Sequence, residues 1–280
     1  MASYEDRLGT PQDAGRDYFD AGEFALRAGI EDHHYWHVHR RGVILDQLRS
    51  FVAPSDCGRL VELGCGIGTV ATHLNEGGYC VDYSDVYGAA LEIAAERARS
   101  RLGAAVESRR FLRMDVTQGL PERGWSGILL FDVIEHLPDD AAVLAHVHDA
   151  LTDARSGFVM LTVPAFQLLW SPWDDIEKHK RRYTRQGLVD LLERTGFSVE
   201  RATYFFGPLF FAALGVKGLR TLRNLVFGKP AAGGIGDLTE STNIAALNRL
   251  MLGVLAGERS LLQRGGLPLG TSILAIARRR

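Results

Sequence analysis

The sequence predicts an α/β fold, an open and mostly parallel sheet flanked by helices, and three observations predict it. From Arg59 onward, short apolar runs alternate with helical stretches, the rhythm of repeated strand–helix units. The first run ends in Glu62-Leu63-Gly64-Cys65-Gly66-Ile67-Gly68, a glycine-rich turn of the kind that joins a strand to a helix. Acids then stand at or near the ends of successive runs, at Glu62, Asp82 and Asp115.

The bulk properties fit such a frame. A chain of 280 residues is long enough for one large domain with additions, and 46% hydrophobic with 24% charged residues excludes global disorder and fibrous repeats. A formal net charge of -2 lacks the bulk attraction of a dedicated nucleic-acid binder, so no nucleic-acid partner is expected. Cys57, Cys65 and Cys80 show no metal-finger spacing, and the polar stretch from Met1 to Asp20 has no apolar signal region. The expected location is the cytoplasm.

Taken in order, residues 1–55 read as a helical preface, with Ala21 to Ala28 helix-compatible and an apolar face at Val38, Ile44, Leu45 and Leu48. Pro54 and Ser55 end it. The core, 56–204, holds strands near 59–64, 78–83, 108–113, 126–132 and 156–163, and helices near 68–76, 87–102, 139–152 and 184–195, the last closed by Gly196. Phe197 to Thr203 makes a sixth strand, and Ser272 to Ala277, within the closing segment 269–280, a seventh. The insertion 205–268 between them is too long for a simple connection. It opens with Phe205, Phe206, Leu209, Phe210, Phe211 and Leu214, followed by Lys217, Arg220 and Arg223, a basic amphipathic pattern. That pattern suits a lid packed on the sheet or, through 205–226, a peripheral membrane contact. Asn243 to Leu262 adds a second helix with apolar Ile244, Leu247, Met251, Leu255 and Leu261, which makes a helical hairpin over the site plausible. The apolar run from Tyr204 to Val216 is too short to cross a bilayer.

Glycines without side chains let a ligand approach the backbone, but they do not identify it. Gly66-Ile67-Gly68-Thr69-Val70-Ala71 also satisfies the dinucleotide fingerprint, which keeps a nicotinamide cofactor open. Glu62, two positions before the first glycine, suits an ammonium and repels a pyrophosphate. Asp82, read as the end of the second strand, is placed to accept ribose hydroxyls, and Asp115 to take the adenine amino group. Three acids in this order favour S-adenosyl-L-methionine (SAM).

The runs VELGCGIG, VDYS, RMDV and FDVIEHLPDD are similar, in that order, to motifs I, post-I, II and IV of class I SAM-dependent methyltransferases, over residues 59 to 203. Within that class the chain resembles the type 11/12/23 branch, which includes ubiquinone-pathway O-methyltransferases. The resemblance implies a Rossmann-like, seven-stranded sheet with a reversed last strand, and methyl transfer from SAM to a small molecule, most simply at a hydroxyl oxygen. It implies Glu62, Gly64, Cys65 and Gly66 at the cofactor turn, with Asp82 and Tyr83 after the second strand. Asp115 and Val116 follow the third strand, Phe131 flanks the cofactor, and Arg40 binds its carboxylate, with Arg41 as the alternative register.

Methyl transfer to oxygen needs a base beside the activated carbon. Open sheets bind ligands beyond the carboxyl ends of their strands, which points to Asp132-Val133-Ile134-Glu135-His136 and makes His136 the first candidate. His179, in the polar aromatic loop from Trp170 to Thr184, is the second. In the ubiquinone-pathway relatives a similar acid-x-x-Glu-His segment and a later histidine hold a divalent ion. Carried over, Asp132, Glu135, His136 and His179 would ligate Mg, Mn or Zn, although the shorter Asp132 stands where those relatives have Glu. Glu135-His136-Leu137-Pro138 also resembles a lip that the class uses without metal.

His33, His34, His37 and His39 include one helical i, i+4 pair but no third ligand of suitable spacing, and read as pocket lining. Lys178, Lys180, Arg181, Arg182 and Arg185 suit an anionic substrate or a solvated basic loop. Three rivals stay open: an N- or C-methyltransferase, a nicotinamide-dependent oxidoreductase, and a non-catalytic SAM-binding subunit. The oxidoreductase would lack a Tyr-x-x-x-Lys pair on a helix; the subunit would need no histidine near the sulfonium.

Overall fold

Runs apolar on both faces must be covered on both faces, and the central strands obey this. In the computed structural model, β2 (Leu60–Leu63), β3 (Val81–Asp85), β5 (Gly127–Phe131) and β6 (Phe158–Pro164) are buried along their whole length. The structure describes residues 4–7, 28–152, 156–227 and 245–280. Of the expected helices, Ala21 and its neighbours through residue 27, and Asn243 and Ile244, fall outside the described residues, as do the side chains of Arg220 and Arg223.

The other strands are β1 (Glu5–Asp6), β4 (Phe111–Arg113), β7 (Phe197–Phe205) and β8 (Ser272–Arg279). The sheet order is β1-β4-β3-β2-β5-β6-β8-β7. β8 runs antiparallel between β6 and β7 and is the reversed last strand; the remaining pairings are parallel. Among the described residues the sheet has eight strands, not seven. The extra strand, β1, lies in what the sequence reads as a helical preface and pairs with the otherwise open edge of β4, with Arg7 N–H donating to Arg113 O at 3.0 Å. Its two residues are charged and exposed, so no apolar alternation betrays it.

The helices are α1 (Tyr35–Phe51), α2 (Thr69–Glu76), α3 (Gly88–Leu102), α4 (Asp140–Ala150), α5 (Pro172–Ile176), α6 (Arg185–Arg194), α7 (Gly207–Phe227) and α8 (Ala245–Arg264). Gly196, at φ 96°, closes α6, a left-handed position that glycine takes without a Cβ penalty. From β2 the chain builds outward through β3 and β4, then returns to place β5 on the other side of β2. The crevice above the carboxyl ends of β2 and β5 is therefore the switch point where open sheets hold ligands.

The insertion is fastened from below. Leu255 and Leu262 of α8 join Val43, Ile44 and Leu48 of α1 in one apolar cluster. His39 Nε2 lies 2.9 Å from Glu258 Oε1, and Glu258 accepts the N–H groups of Phe206 and Gly207, each at 2.6 Å. His39 is thus a buried fastening of α1 to α8 rather than pocket lining, and His34 caps α1 by accepting Trp36 N–H at 3.3 Å. Among the described residues no helix is long and apolar enough to cross a membrane.

Candidate active site

The turn after β2 uses three left-handed glycines, Gly64, Gly66 and Gly68, at φ 70°, 53° and 73°. Two are needed for packing: a Cβ on Gly64 would lie 2.7 Å from Val133 Cγ2, and one on Gly68 2.8 Å from Ala94 Cβ. Around Gly66 nothing lies within 4 Å of the same position, so a bare stretch of backbone faces the crevice.

Glu62 and Arg40 face this crevice with unmet bonding capacity. Glu62 is buried, its Oε2 has no hydrogen-bond partner among the described residues, and burial, opposed by Arg40, pushes its pKa up to about 8. Arg40 reaches from α1 with its guanidinium 5.3 Å from the Trp36 ring centre and 5.9 Å from that of Phe131; its buried Nε is likewise without a partner among the described residues. An unmet acceptor beside an unmet donor suits the zwitterionic end of an amino acid. Arg41 turns away to the carbonyls of Glu31 and Asp32.

The second strand corrects the sequence reading. Register pairs Val61 with Asp82 and Leu63 with Ser84, so Asp85, not Asp82, stands level with Gly64 at the carboxyl edge. Asp82 is fully buried lower in the sheet, where it accepts Arg59 Nε and Nη2 at 2.7 and 2.8 Å and Arg110 N–H and Nε at 2.9 and 3.0 Å. Every lobe of that carboxylate is occupied far from the turn. Asp85 accepts Gly66 N–H at 2.7 Å and Tyr87 N–H at 3.0 Å, with burial raising its pKa. Tyr83 is core as well: its ring stacks on Phe111 at 4.6 Å, and its hydroxyl meets Thr72 at 3.1 Å and Asn75 at 3.3 Å. The signal for Asp85 lay in the second aspartate of Val81-Asp82-Tyr83-Ser84-Asp85, two residues beyond where the strand was expected to end.

Cys65 is buried, its thiol pushed up by burial, and its N–H bonds Ser84 O at 2.9 Å, tying the turn to β3. Asp115 follows β4 and accepts Thr117 N–H and Oγ1 at 2.9 and 2.6 Å. With Arg7, Met114, Gln118 and Leu120 it lines a cleft of about 230 Å³. Val116 is half-buried against the apolar cluster below.

At the exit of β5, Asp132 adopts φ 58°, a strained backbone for a non-glycine residue. Its carboxylate turns to Arg40 Nη2 at 2.6 Å and Thr162 Oγ1 at 3.2 Å. Glu135, His136 and His179 converge instead, each offering a ligand atom within 4.8 Å of the others. The expected set of four is therefore three, because Asp132 is committed to Arg40. Glu135 is fully buried with neither oxygen partnered among the described residues, and burial, then the Asp132 charge, raise its pKa well above the carboxylate range. The His136 and His179 rings meet edge to face, centres 4.8 Å apart.

Behind His179 stands Asp174, which sequence reasoning missed. Its Oδ1 lies 2.8 Å from His179 Nδ1. Its trace in the sequence is Ser171-Pro172-Trp173-Asp174, a capping box that starts α5. Of the loop cations, Arg182 pairs with Asp174 at 2.7 Å, Arg181 pairs with Asp140 at 2.9 Å, and the Arg185 guanidinium lies 5.8 Å from the Tyr204 ring centre. Lys178, Lys180 and Arg185 are exposed. Beyond them Phe166 stacks on Tyr204 at 4.9 Å and leans on Phe210 at 5.4 Å.

A family profile described as a methyltransferase domain matches residues 35–202, more than half of the chain. The chain belongs to this methyltransferase family. Solved structures agree in fold. A Haloferax volcanii methyltransferase, in complex with the Trm112 methyltransferase activator, superposes with a TM-score of 0.56 at 13% identity, covering 94% of this chain and 96% of that one. A Galdieria sulphuraria protein described as a sarcosine dimethylglycine methyltransferase gives 0.53 at 14% identity, over 84% and 83% of the two chains. A protein described as a methyltransferase of Bacillus halodurans gives 0.52 at 16%, over 84% and 97%. No curated protein matches the sequence. The enzyme is a class I SAM-dependent methyltransferase.

Proposed function

We propose that the methyltransferase transfers the methyl group to a hydroxyl oxygen of a small molecule, and the observation that carries this reading is the convergence of His136, His179 and Glu135 at the exit of β5. The cofactor fits the residues above it. Glu62 would hold its ammonium and Arg40 its carboxylate, Asp85 its ribose hydroxyls and Asp115 its adenine, while the open face of Gly66 admits it to the backbone. Bound SAM supplies a methyl carbon activated by its sulfonium. The protein then has to orient the acceptor and take its proton. A neutral imidazole does this near neutral pH, a demand that a hydroxyl imposes more heavily than an amine does. His179 serves as that base, with His136 beside it.

The same cluster supports a second reading, because both oxygens of Glu135 lack partners among the described residues. Glu135, His136 and His179 would hold a divalent ion, which would lower the pKa of an acceptor hydroxyl. The aromatic group of Phe166, Tyr204 and Phe210, with the Arg185 guanidinium 5.8 Å from the Tyr204 ring centre, supports an apolar acceptor that carries an anionic group. Phe211 and Val216, exposed on α7, support peripheral membrane contact through 205–226 as its route of delivery.

The test is label transfer from methyl-labelled SAM to matched alcohol, amine and carbon-acid acceptors, with and without excess EDTA. Transfer confined to alcohols and lost in His179→Gln is expected. Equal transfer to amines by His179→Gln sinks the hydroxyl reading, and full turnover in EDTA sinks the metal reading.

A further inference from the structure

The loop after β6 contains more than a base needs. Asp174 is fully buried yet surrounded by donors: Arg182 Nε at 2.7 Å and His179 Nδ1 at 2.8 Å on one oxygen, Arg182 Nη2 at 2.9 Å, Ser171 N–H at 2.8 Å and Ser171 Oγ at 3.1 Å on the other. Both oxygens are thereby filled as acceptors, and the Arg182 guanidinium grips the group through two of its nitrogens. Oδ1 already accepts Arg182 Nε, so in its contact with His179 it is again the acceptor and the proton sits on Nδ1.

The backbone is fixed to match. His179 N–H donates to Asp174 O at 2.8 Å, and Lys180 N–H to Glu135 O, also at 2.8 Å, so the backbone at the imidazole and at the next residue is pinned to α5 and to the segment after β5. Lys178, at φ 56°, makes the reversal that brings the ring back over α5.

We propose that Asp174, gripped by Arg182, is a positioning residue that locks His179 as its Nδ1–H tautomer and leaves the Nε2 lone pair as the group that meets the acceptor. In the step this serves, the acceptor O–H bond breaks and its proton joins Nε2. The oxygen pair forms the bond to the methyl carbon as the carbon–sulfur bond breaks, and S-adenosylhomocysteine departs. The imidazolium so formed faces the Asp174 carboxylate, which offsets its charge. The proposal rests on the reading of His179 as base.

The test is long-range proton–nitrogen correlation on the full chain labelled with nitrogen-15 histidine, at a mildly alkaline pH. His179 is expected to carry its proton on Nδ1 alone in the wild type. Asp174→Asn offers a donor as well as an acceptor, and should shift the tautomer ratio by roughly ten-fold or more, the loss of one charge-assisted bond. With a hydroxyl acceptor, the same variant should lower kcat by about 10² to 10⁴ without raising the KM for SAM, and Asp174→Glu should recover part of the loss. A wild-type His179 protonated at Nε2, or an unchanged ratio in Asp174→Asn, overturns the proposal. If the variants do not fold, as judged by stabilisation with SAM, the wild-type tautomer decides alone. Undiminished turnover in His179→Gln beside the expected tautomer would instead overturn the base reading.

Discussion

The Asp85 carboxylate accepts the Gly66 N–H at 2.7 Å, which joins the end of β3 to the one glycine of the turn whose backbone stays open. Three residues earlier, Asp82 is locked between Arg59 and Arg110. The two aspartates should therefore answer differently to the same substitution. Asp85→Asn should weaken SAM binding roughly 10- to 100-fold, the worth of charge-assisted bonds to a diol. Asp82→Asn should leave SAM affinity unchanged but lower stability by on the order of 3 kcal/mol, because two arginines lose a buried partner. Calorimetric SAM binding and urea unfolding of both variants check this; a larger affinity loss in Asp82→Asn refutes it.

Glu62 makes the cofactor-free enzyme pH-sensitive. Its pKa rises on folding from an ordinary 4.5 to about 8, so between those values the folded state holds a proton that the unfolded state has lost. Its contribution is fully present below the unfolded value and disappears as pH rises through the folded value; stability falls with rising pH across this window. Glu62→Gln should flatten that slope. An ammonium favours the ionised carboxylate, so SAM binding below about pH 8 should release a proton, which titration calorimetry in buffers of different ionisation enthalpy would detect. Equal heats in all buffers would count against the pairing.

Gly66 and Gly68 divide the labour of the turn. Gly68→Ala meets Ala94 and Tyr83 and forces a left-handed alanine, so it should cost about 2–4 kcal/mol of stability. Gly66→Ala meets no protein atom and should cost about 1 kcal/mol through its backbone alone, yet it fills the space a ligand needs. Melting with and without SAM separates them: Gly66→Ala should keep its fold and lose the ligand-induced stabilisation.

Glu258 holds His39 and the N–H groups of Phe206 and Gly207 at one buried point. Glu258→Ala leaves three polar groups without a partner and should destabilise the protein by about 3 kcal/mol or more. Hydrogen exchange should quicken first in α7 and α8; uniform acceleration across the sheet would show that the fastening is not local.

Much of this was legible in the chain because it is encoded locally. Glycines at alternate positions after an apolar run specify a strand, a tight turn and a helix. Arg40 followed from the resemblance, Glu62 from its place before the glycines, Glu135 and His136 from the segment after β5, and His179 from the polar aromatic loop after β6. What escaped was non-local. β1 exists because β4 has an open edge to pair with, and its two charged residues carry no pattern of their own. Asp174 stands thirty-nine positions beyond Glu135, and only the fold of the loop after β6 sets it behind His179.

The sequence by itself determined the class of sheet, the glycine-rich turn after β2 and the enzyme class, since these rest on residue types and short spacings. Tertiary structure decided which aspartate faces the carboxyl edge, because register against β2 raises Asp85 to the level of Gly64 and leaves Asp82 between two arginines. It also decided that Asp132 serves Arg40 rather than the histidines. A carboxylate goes to the nearest unmet donor, and which donor is nearest is a property of the folded chain.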